Sequence, residues 1–389
     1  MPALGVQRIY RATGEERTIP VRNCVLESKS AAEVFITATP DRRESASAQA
    51  LALFKAVRDG LEAHQARILQ ERIFACESAL PAVLAARSRM LGPLDDGVPP
   101  ILLRVPEDRF GPVPGIFVHA VRSAAPPTAL RHKGATCGRI VEADGFRFLA
   151  LSGLTAPKAG SSGAQAKAMF EMTQACLGEV GATMRQVART WLWLGDILAW
   201  YDDLNRVRNQ FFGSCGLLDG DPNVPHLPAS TGIGVYPAGG EACALDAVAV
   251  IGPKGRVEYF REAGNQRSPY HYGSAFSRAA RATTPAGHTV YVSGTAAIDK
   301  AGNTNPVGDV AGQVHVTVEN VRAALKDLGC SDAEVVQAFV YSKTPEVQET
   351  FHRDYAGLEW PCVSVIADVC RDDLLFEVEA AACPGARSA

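Results

Sequence analysis

The strongest constraint on this sequence is that it nearly repeats itself. Phe148-Leu-Ala-Leu-Ser-Gly153 returns as Thr289-Val-Tyr-Val-Ser-Gly294, a run of β-formers ended each time by Ser-Gly. Gln165-Ala-Lys-Ala-Met-Phe170 is answered by Gln313-Val-His-Val-Thr-Val318. Behind the first, Met169, Met172, Thr173, Cys176, Leu177 and Val180 step along one helical face. Behind the second, Val314, Val318, Val321, Leu325 and Leu328 do the same. Each helix should stop at a glycine, Gly181 or Gly329, suited to the left-handed backbone of a helix end. Then come an N-cap-type residue (Thr183, Ser331), a second strand (Thr190–Leu194, Ala338–Tyr341) and a second helix (Asp203–Phe212, Glu346–Tyr355). A Pro-led strand from Pro228 or Pro361 and a closing strand from Ala244 or Glu377 complete each copy.

Leu177 and Leu325 lie 148 apart, but Ala244 and Glu377 only 133, so the first copy carries a longer loop near 213–227. A chain repeated in this way folds as repeated units. The pattern predicts an α+β protein with one unit over 134–255 and a second over 266–389. Residues 1–133 form an N-terminal α/β segment: Val34–Thr39 reads as a strand and Gln49–Gln65 as an amphipathic helix. Gln49 and Leu61 precede Gln165 and Leu177 by 116 each, but no Ser-Gly is present. This segment is either an eroded third copy or an unrelated strand and helix.

The 389 residues suffice for two or three domains at about 150 residues each. Lys+Arg 39 against Asp+Glu 42 gives a net charge of −3, which supplies no field for holding nucleic acid. No apolar run approaches the ~20 residues a bilayer requires, and Met1–Arg17 lacks the apolar stretch of a secretory leader. A soluble, cytoplasmic protein is expected. The ten cysteines are scattered without CxxC and the eight histidines without HxH or HExxH, so neither a disulfide framework nor a metal site is expected. Gly160-Ser-Ser-Gly163 lacks the lysine and spacing of a phosphate loop and reads as a turn.

Ser-Gly after a strand, the Gln-led helix ending in Gly, and the terminal Leu374-Leu-Phe-Glu-Val-Glu-Ala380 strand resemble the RidA (YjgF) fold. That resemblance implies a mixed sheet with helices on one face, and trimers with ligand clefts between subunits. Two such units in one chain, with Phe276-Ser-Arg-Ala279 before the second and Asp368–Glu377 near its end, resemble the chorismatases. Chorismatases remove pyruvate from chorismate, leaving a dihydroxycyclohexadiene carboxylate in one branch and hydroxybenzoates in others. The implied activity is conversion of chorismate to 3-hydroxybenzoate, with 4-hydroxybenzoate as a second product, without a cofactor, by a monomer or homotrimer. A RidA-type enamine or imine deaminase and a non-catalytic metabolite-binding module are the alternatives. RidA enzymes grip substrate with an arginine near the Pro-led strand; Pro361-Cys-Val363 and Pro228-Ala-Ser230 both lack it.

Glu377 faces Ala244 in the repeat alignment and Glu379 faces Asp246, so the second copy presents two carboxylates on one strand face where the first has one. The first copy is expected to be structural and the second catalytic. Glu377 matches the family's acid by position: cleaving an enolpyruvyl ether needs a proton on the vinyl methylene, and a shielded carboxylic acid can supply it. The two carboxylates of chorismate call for arginines. The candidates are Arg278, Arg206 and Arg208, Arg353 and Arg371, with Tyr272 as a hydrogen-bonding neighbour. Cys370, seven residues before Glu377, occupies the position that the resemblance links to product branch, cysteine marking the 3-hydroxybenzoate type. A second such position falls near Ala279, where glycine marks the strict 3-hydroxybenzoate branch.

Overall fold

The computed structural model describes residues 5–9, 21–218, 226–384 and 387–388. The expectation about a leader at Met1–Arg17 and the centre of the 213–227 loop fall largely outside them. The N-terminal part contains β1 (Gly5–Ile9), β2 (Val21–Glu27), β3 (Ala32–Ala38), α1 (Ala46–His64), β4 (Arg67–Ala75), α2 (Leu80–Leu91), β5 (Ile101–Arg104) and β6 (Gly115–Arg122). The middle part contains β7 (Thr128–His132), β8 (Ala135–Ala143), β9 (Phe146–Leu154), α3 (Ser162–Gly178), β10 (Val187–Leu194), α4 (Ile197–Ser214), β11 (Ala229–Ile233), β12 (Tyr236–Pro237) and β13 (Cys243–Ile251). The C-terminal part contains β14 (Val257–Phe260), β15 (Ala279–Thr284), β16 (Gly287–Ala296), α5 (Val310–Asp327), β17 (Val335–Ser342), α6 (Pro345–Asp354), β18 (Cys362–Ile366), β19 (Phe376–Ala382) and β20 (Arg387–Ser388).

Strand order is the same in all three parts: β5-β4-β6-β3-β2-β1, β11-β10-β13-β9-β8-β7 and β18-β17-β19-β16-β15-β14. In each, the first pair is parallel and every other pair antiparallel. β12 and β20 extend the two edges of the first sheet. The second sheet begins at β7 and the third at β14, ahead of the expected starts at 134 and 266.

Two details show that the N-terminal part is built on the same plan. Gln49, Gln165 and Gln313 sit in the first turns of α1, α3 and α5. Their Oε1 atoms accept from the backbone N–H groups of Val113, Ala242 and Leu375 at 3.1, 3.0 and 2.9 Å. In each copy that N–H lies just ahead of the closing strand, so the glutamine fastens helix to sheet. The helices also end alike: Ala66, Ala182 and Cys330 donate back to Leu61, Leu177 and Leu325 at 2.9, 2.9 and 2.8 Å. The preceding residue is left-handed in all three, Gln65 at φ 51°, Gly181 at 72° and Gly329 at 75°. A glutamine tolerates that backbone at a cost of roughly 1–2 kcal/mol, which is how the sequence signal faded there while the geometry persisted.

The Ser-Gly dipeptides are β-bulges. Pairing of β9 with β13 shifts between Leu245 and Ala247, and pairing of β16 with β19 shifts between Val292 and Thr295. β3, which lacks Ser-Gly, pairs with β6 without a shift.

Helices cover one face of each sheet, and the opposite faces meet in a ring. β4 packs on β8 and β9, β10 and β11 on β15 and β16, and β17 and β18 on β3 and β6. Equivalent strand positions supply the shared core: Phe74, Trp193 and Tyr341 at one, and Trp191 and Phe339 at another where β4 has Arg72, with Phe117 opposite that arginine on β6. Phe74 lies 6.0 Å from the Trp193 ring and 5.3 Å from that of Phe339. The ring leaves three junctions between units, and these position the site.

Candidate active site

The junction between the middle and C-terminal units opens into a cavity of about 140 Å³ at its acid position. Where the N-terminal unit has Gly115, a Cβ would stand 2.7 Å from Val363 Cγ1, so that junction is filled. Beside Ala244 of the middle unit, β12 hydrogen-bonds onto β5 across the junction. In the C-terminal unit the corresponding residue is Glu377, opposite Tyr341 on β17 just as Ala244 is opposite Trp193 on β10.

The cavity wall takes Glu377, Gly294, Ala296, Ile298, Cys370 and Arg371 from the C-terminal unit. Tyr201, Asp202, Asn205, Ser230 and Gly232 come from α4 and β11 of the middle unit, and Tyr272, Ser274, Phe276 and Arg278 from the segment joining the two. The expectation of a purely structural first copy is therefore corrected: it lacks the acid but forms one side of the site. Sequence reasoning missed its contribution because pairing α4 and β11 with β19 is a property of the ring, not of either repeat. The readable signal was the resemblance itself, whose trimers place clefts between subunits.

Glu377 is 5 % exposed. Burial, then the neighbouring Glu379, push its carboxyl up to about 8, against the opposing influence of Arg278 and Arg189. At neutral pH it is mostly a carboxylic acid. The bulge makes room for it: a Cβ on Gly294 would meet Glu377 Oε1 at 2.1 Å. Ser293 secures the bulge to the other unit, donating to Ser277 O at 2.6 Å and accepting from Ser230 N at 2.9 Å.

Arg278 is 3 % exposed; its Nε donates to Arg267 O at 2.9 Å and its Nη2 to the Tyr272 hydroxyl. Burial lowers its pKa, opposed by Tyr272 and Glu377, and it remains a cation. Arg371 donates to Gly302 O at 2.8 Å and lies 5.4 Å from the Tyr272 ring centroid. Burial and Glu377 push the Cys370 thiol up to about 12, so it is a neutral group and no thiolate nucleophile.

Four of the expected site residues fall outside the cavity wall. Arg208 is buried behind the cavity wall, where its Nη2 donates to Asn205 Oδ1 and Phe276 lies beneath its guanidinium. Ala279 packs into the core of the C-terminal unit with Val290 and Val292, because alternation along β15 turns it away from the cavity. Arg353 is 66 % exposed and paired with Asp354 at 2.7 Å, on a helix that faces the N-terminal unit. Arg206, also exposed, pairs with Asp203.

A RutC family protein of Sulfurisphaera tokodaii is 32 % identical over 96 residues, which cover 77 % of that protein and 24 % of this chain. The chain belongs to the RutC family. The family model described as Endoribonuclease L-PSP matches residues 272–383 of this RutC-family chain, the unit that carries Glu377. A 3-hydroxybenzoate synthase of Streptomyces hygroscopicus is 29 % identical over 238 residues, or 54 % of this chain, and the match spans 66 % of the synthase. A crystal structure of a chorismatase superposes with a TM-score of 0.59 at 22 % identity, covering 82 % of this chain and 93 % of that one. The RutC-family fold thus extends over tandem α+β units in the arrangement of a chorismatase.

Proposed function

We propose that this RutC-family chain is a chorismatase that converts chorismate to 3-hydroxybenzoate and pyruvate, with 4-hydroxybenzoate as the second product of a common intermediate. One observation carries the reading: a carboxylic acid that is mostly protonated at neutral pH stands in the wall of a small cavity flanked by two arginines. The similarity to a 3-hydroxybenzoate synthase supports the choice of substrate.

Chorismate brings two carboxylates and an enolpyruvyl ether. Arg278 and Arg371 supply the positive charge for the carboxylates. Glu377 gives its proton to the methylene carbon, and the side chain leaves as pyruvate when the ring C3–O bond breaks. The ring's own C4 hydroxyl oxygen bonds to C3 and gives its proton to Glu377, restoring the acid. Holding that hydroxyl beside C3 makes the displacement effectively unimolecular. The 3,4-epoxide opens at C4–O, loses the C3 proton and becomes 3-hydroxybenzoate; opening at C3–O gives the 4-isomer. Water is not consumed, and the atoms of chorismate equal those of the two products. If water attacks in place of the hydroxyl, the product is the diene diol.

A RidA-type deaminase would carry an arginine on the Pro-led strand, and β11, which lines this cavity, reads Ala229-Ser-Thr-Gly-Ile233. The ring of three units makes one chain sufficient for a cleft that RidA proteins build between subunits, and the reading places the reaction in the cytoplasm. No helix among the described residues is long and apolar enough to cross a membrane. Incubation with chorismate, with products separated by chromatography, tests the proposal: pyruvate and hydroxybenzoate in equal amounts support it, and unchanged chorismate removes it.

A further inference from the structure

Behind Glu377, two residues along the same strand, lies a buried group that the chemistry above does not use. Glu379 is 2 % exposed and makes an ion pair with Arg189 of β10, a residue of the middle unit. The same carboxylate accepts from the Thr231 hydroxyl, from Trp191 Nε1 at 3.0 Å and from the Tyr341 hydroxyl at 3.2 Å. Thr231 Oγ1 in turn accepts from the N–H of Gly294 at 2.9 Å. The chain Arg189–Glu379–Thr231–Gly294 therefore ends at the bulge whose missing side chain makes room for Glu377. At the junction of the N-terminal and middle units, where the acid position is Ala244, Asp246 accepts directly from the corresponding N–H of Gly153 at 2.8 Å and from Arg72 Nε at 2.8 Å. The junction that carries the acid instead has the longer carboxylate and an interposed threonine.

Arg189 Nη1 is buried and has no hydrogen-bond partner among the described residues, and the same is true of Arg72 Nη1 in the Asp246 network. An orphaned guanidinium N–H is costly inside a protein, so what sets the acid-bearing junction apart is the Glu379–Thr231–Gly294 chain and not the orphan itself.

Resting on the chorismatase reading for its substrate, we propose that the Arg189–Glu379 pair is a positioning device shared by two units: it fixes where Glu377 stands and balances the charge that Glu377 gains on giving up its proton. Glu379 favours the neutral acid before the proton is delivered. Arg189 supplies the opposing positive charge, and it already acts on Glu377 in the direction of the carboxylate. The other groups facing Glu377 are Arg278 from the linking segment, Cys370 and Arg371 from the loop before β19, Tyr341 on β17, Tyr272, and Tyr201 on α4. Glu379 is the largest electrostatic influence on the acid after burial itself.

The test is Glu379→Gln, read in two ways: the pH dependence of kcat with chorismate, and the titration of the Glu377 carboxyl by ¹³C NMR in the unliganded protein. Both should move down by about one pH unit, so that kcat falls about fivefold at pH 8 and little at pH 6. Because Glu379→Gln strands a buried guanidinium, the paired variant Arg189→Met/Glu379→Gln, which removes both charges, carries the same test if the single variant does not fold. Its shift should have the same direction and be smaller. An unmoved titration and an unmoved pH profile in the variant that folds would overturn the proposal. If the unaltered protein releases no pyruvate from chorismate, the substrate reading fails, and the NMR titration still decides this inference alone.

Discussion

Gly294 and Glu377 share a space that admits only one side chain: a Cβ on the glycine would lie 2.1 Å from the glutamate's Oε1. The glycine leaves the space that the acid fills, and the middle unit keeps the same bulge with no acid beside it. There the acid position is Ala244, and a Cβ at the matching Gly153 would have nothing within 4 Å. Gly294→Ala should lower kcat by about a hundredfold or more with the fold intact, since displacing a proton donor by about 1 Å is enough for that. Gly153→Ala places a side chain on a backbone at φ 62° and should cost about 1–2 kcal/mol of stability while leaving kcat within twofold. Steady-state kinetics and thermal melts on the two variants measure the contrast, and equal kinetic losses would contradict it.

The acid should impose a pH profile. With Glu377 held up to about 8, turnover requires its protonated form and should fall as pH rises through about 8. Stability follows with a definite sign. Below the ordinary glutamate value of 4.5 both folded and unfolded chains carry the proton, and the group makes no difference. Between 4.5 and about 8 the unfolded chain releases the proton and the folded one keeps it, so stability declines with rising pH, then levels off. Glu377→Gln escapes the decline, and at pH 9 it should be more stable than the unaltered protein by at most roughly 5 kcal/mol. Melting curves at pH 4.5 and pH 9 check this, and a constant difference would show that the acid is not held in its neutral form.

Cys370 should influence the product rather than the rate of proton transfer. Its thiol, pushed up to about 12, stays neutral and fills space beside Glu377 and Tyr201 in the cavity. Cys370→Ala opens room for a water molecule and should shift product from hydroxybenzoate toward the diene diol, with pyruvate release largely maintained. An unchanged hydroxybenzoate yield and isomer ratio would reduce the residue to packing.

The arginines divide sharply by place. Arg278→Met removes a buried cation from the cavity wall and should raise KM for chorismate at least about tenfold. Arg353→Gln changes an exposed residue paired with its neighbour Asp354 and should leave kcat and KM within about twofold. Comparable effects from both would place the substrate elsewhere.

Much of this was legible in the chain because repeats expose themselves. The Ser-Gly bulges, the Gln-led helices and the contrast between Ala244 and Glu377 are local patterns, and each corresponds to one structural event. The N-terminal copy was obscured because its signals lie in the backbone: Gln65 holds the left-handed slot that glycine holds elsewhere, and β3 has no bulge to announce itself. Arg208, Ala279 and Arg353 were placed in the site because the sequence shows which copy a residue belongs to but not which junction it faces. The same limit hid Tyr201, Asn205 and Ser230. The ring of three units decides those matters, through packing between strands separated by more than a hundred residues.

The most direct test of the account is a parallel assay of the unaltered protein and Glu377→Gln with chorismate, counting pyruvate and hydroxybenzoate together. The account predicts equal amounts of the two from the unaltered protein, and neither above background from a folded Glu377→Gln that still binds chorismate. Near-normal pyruvate release by that variant would contradict it.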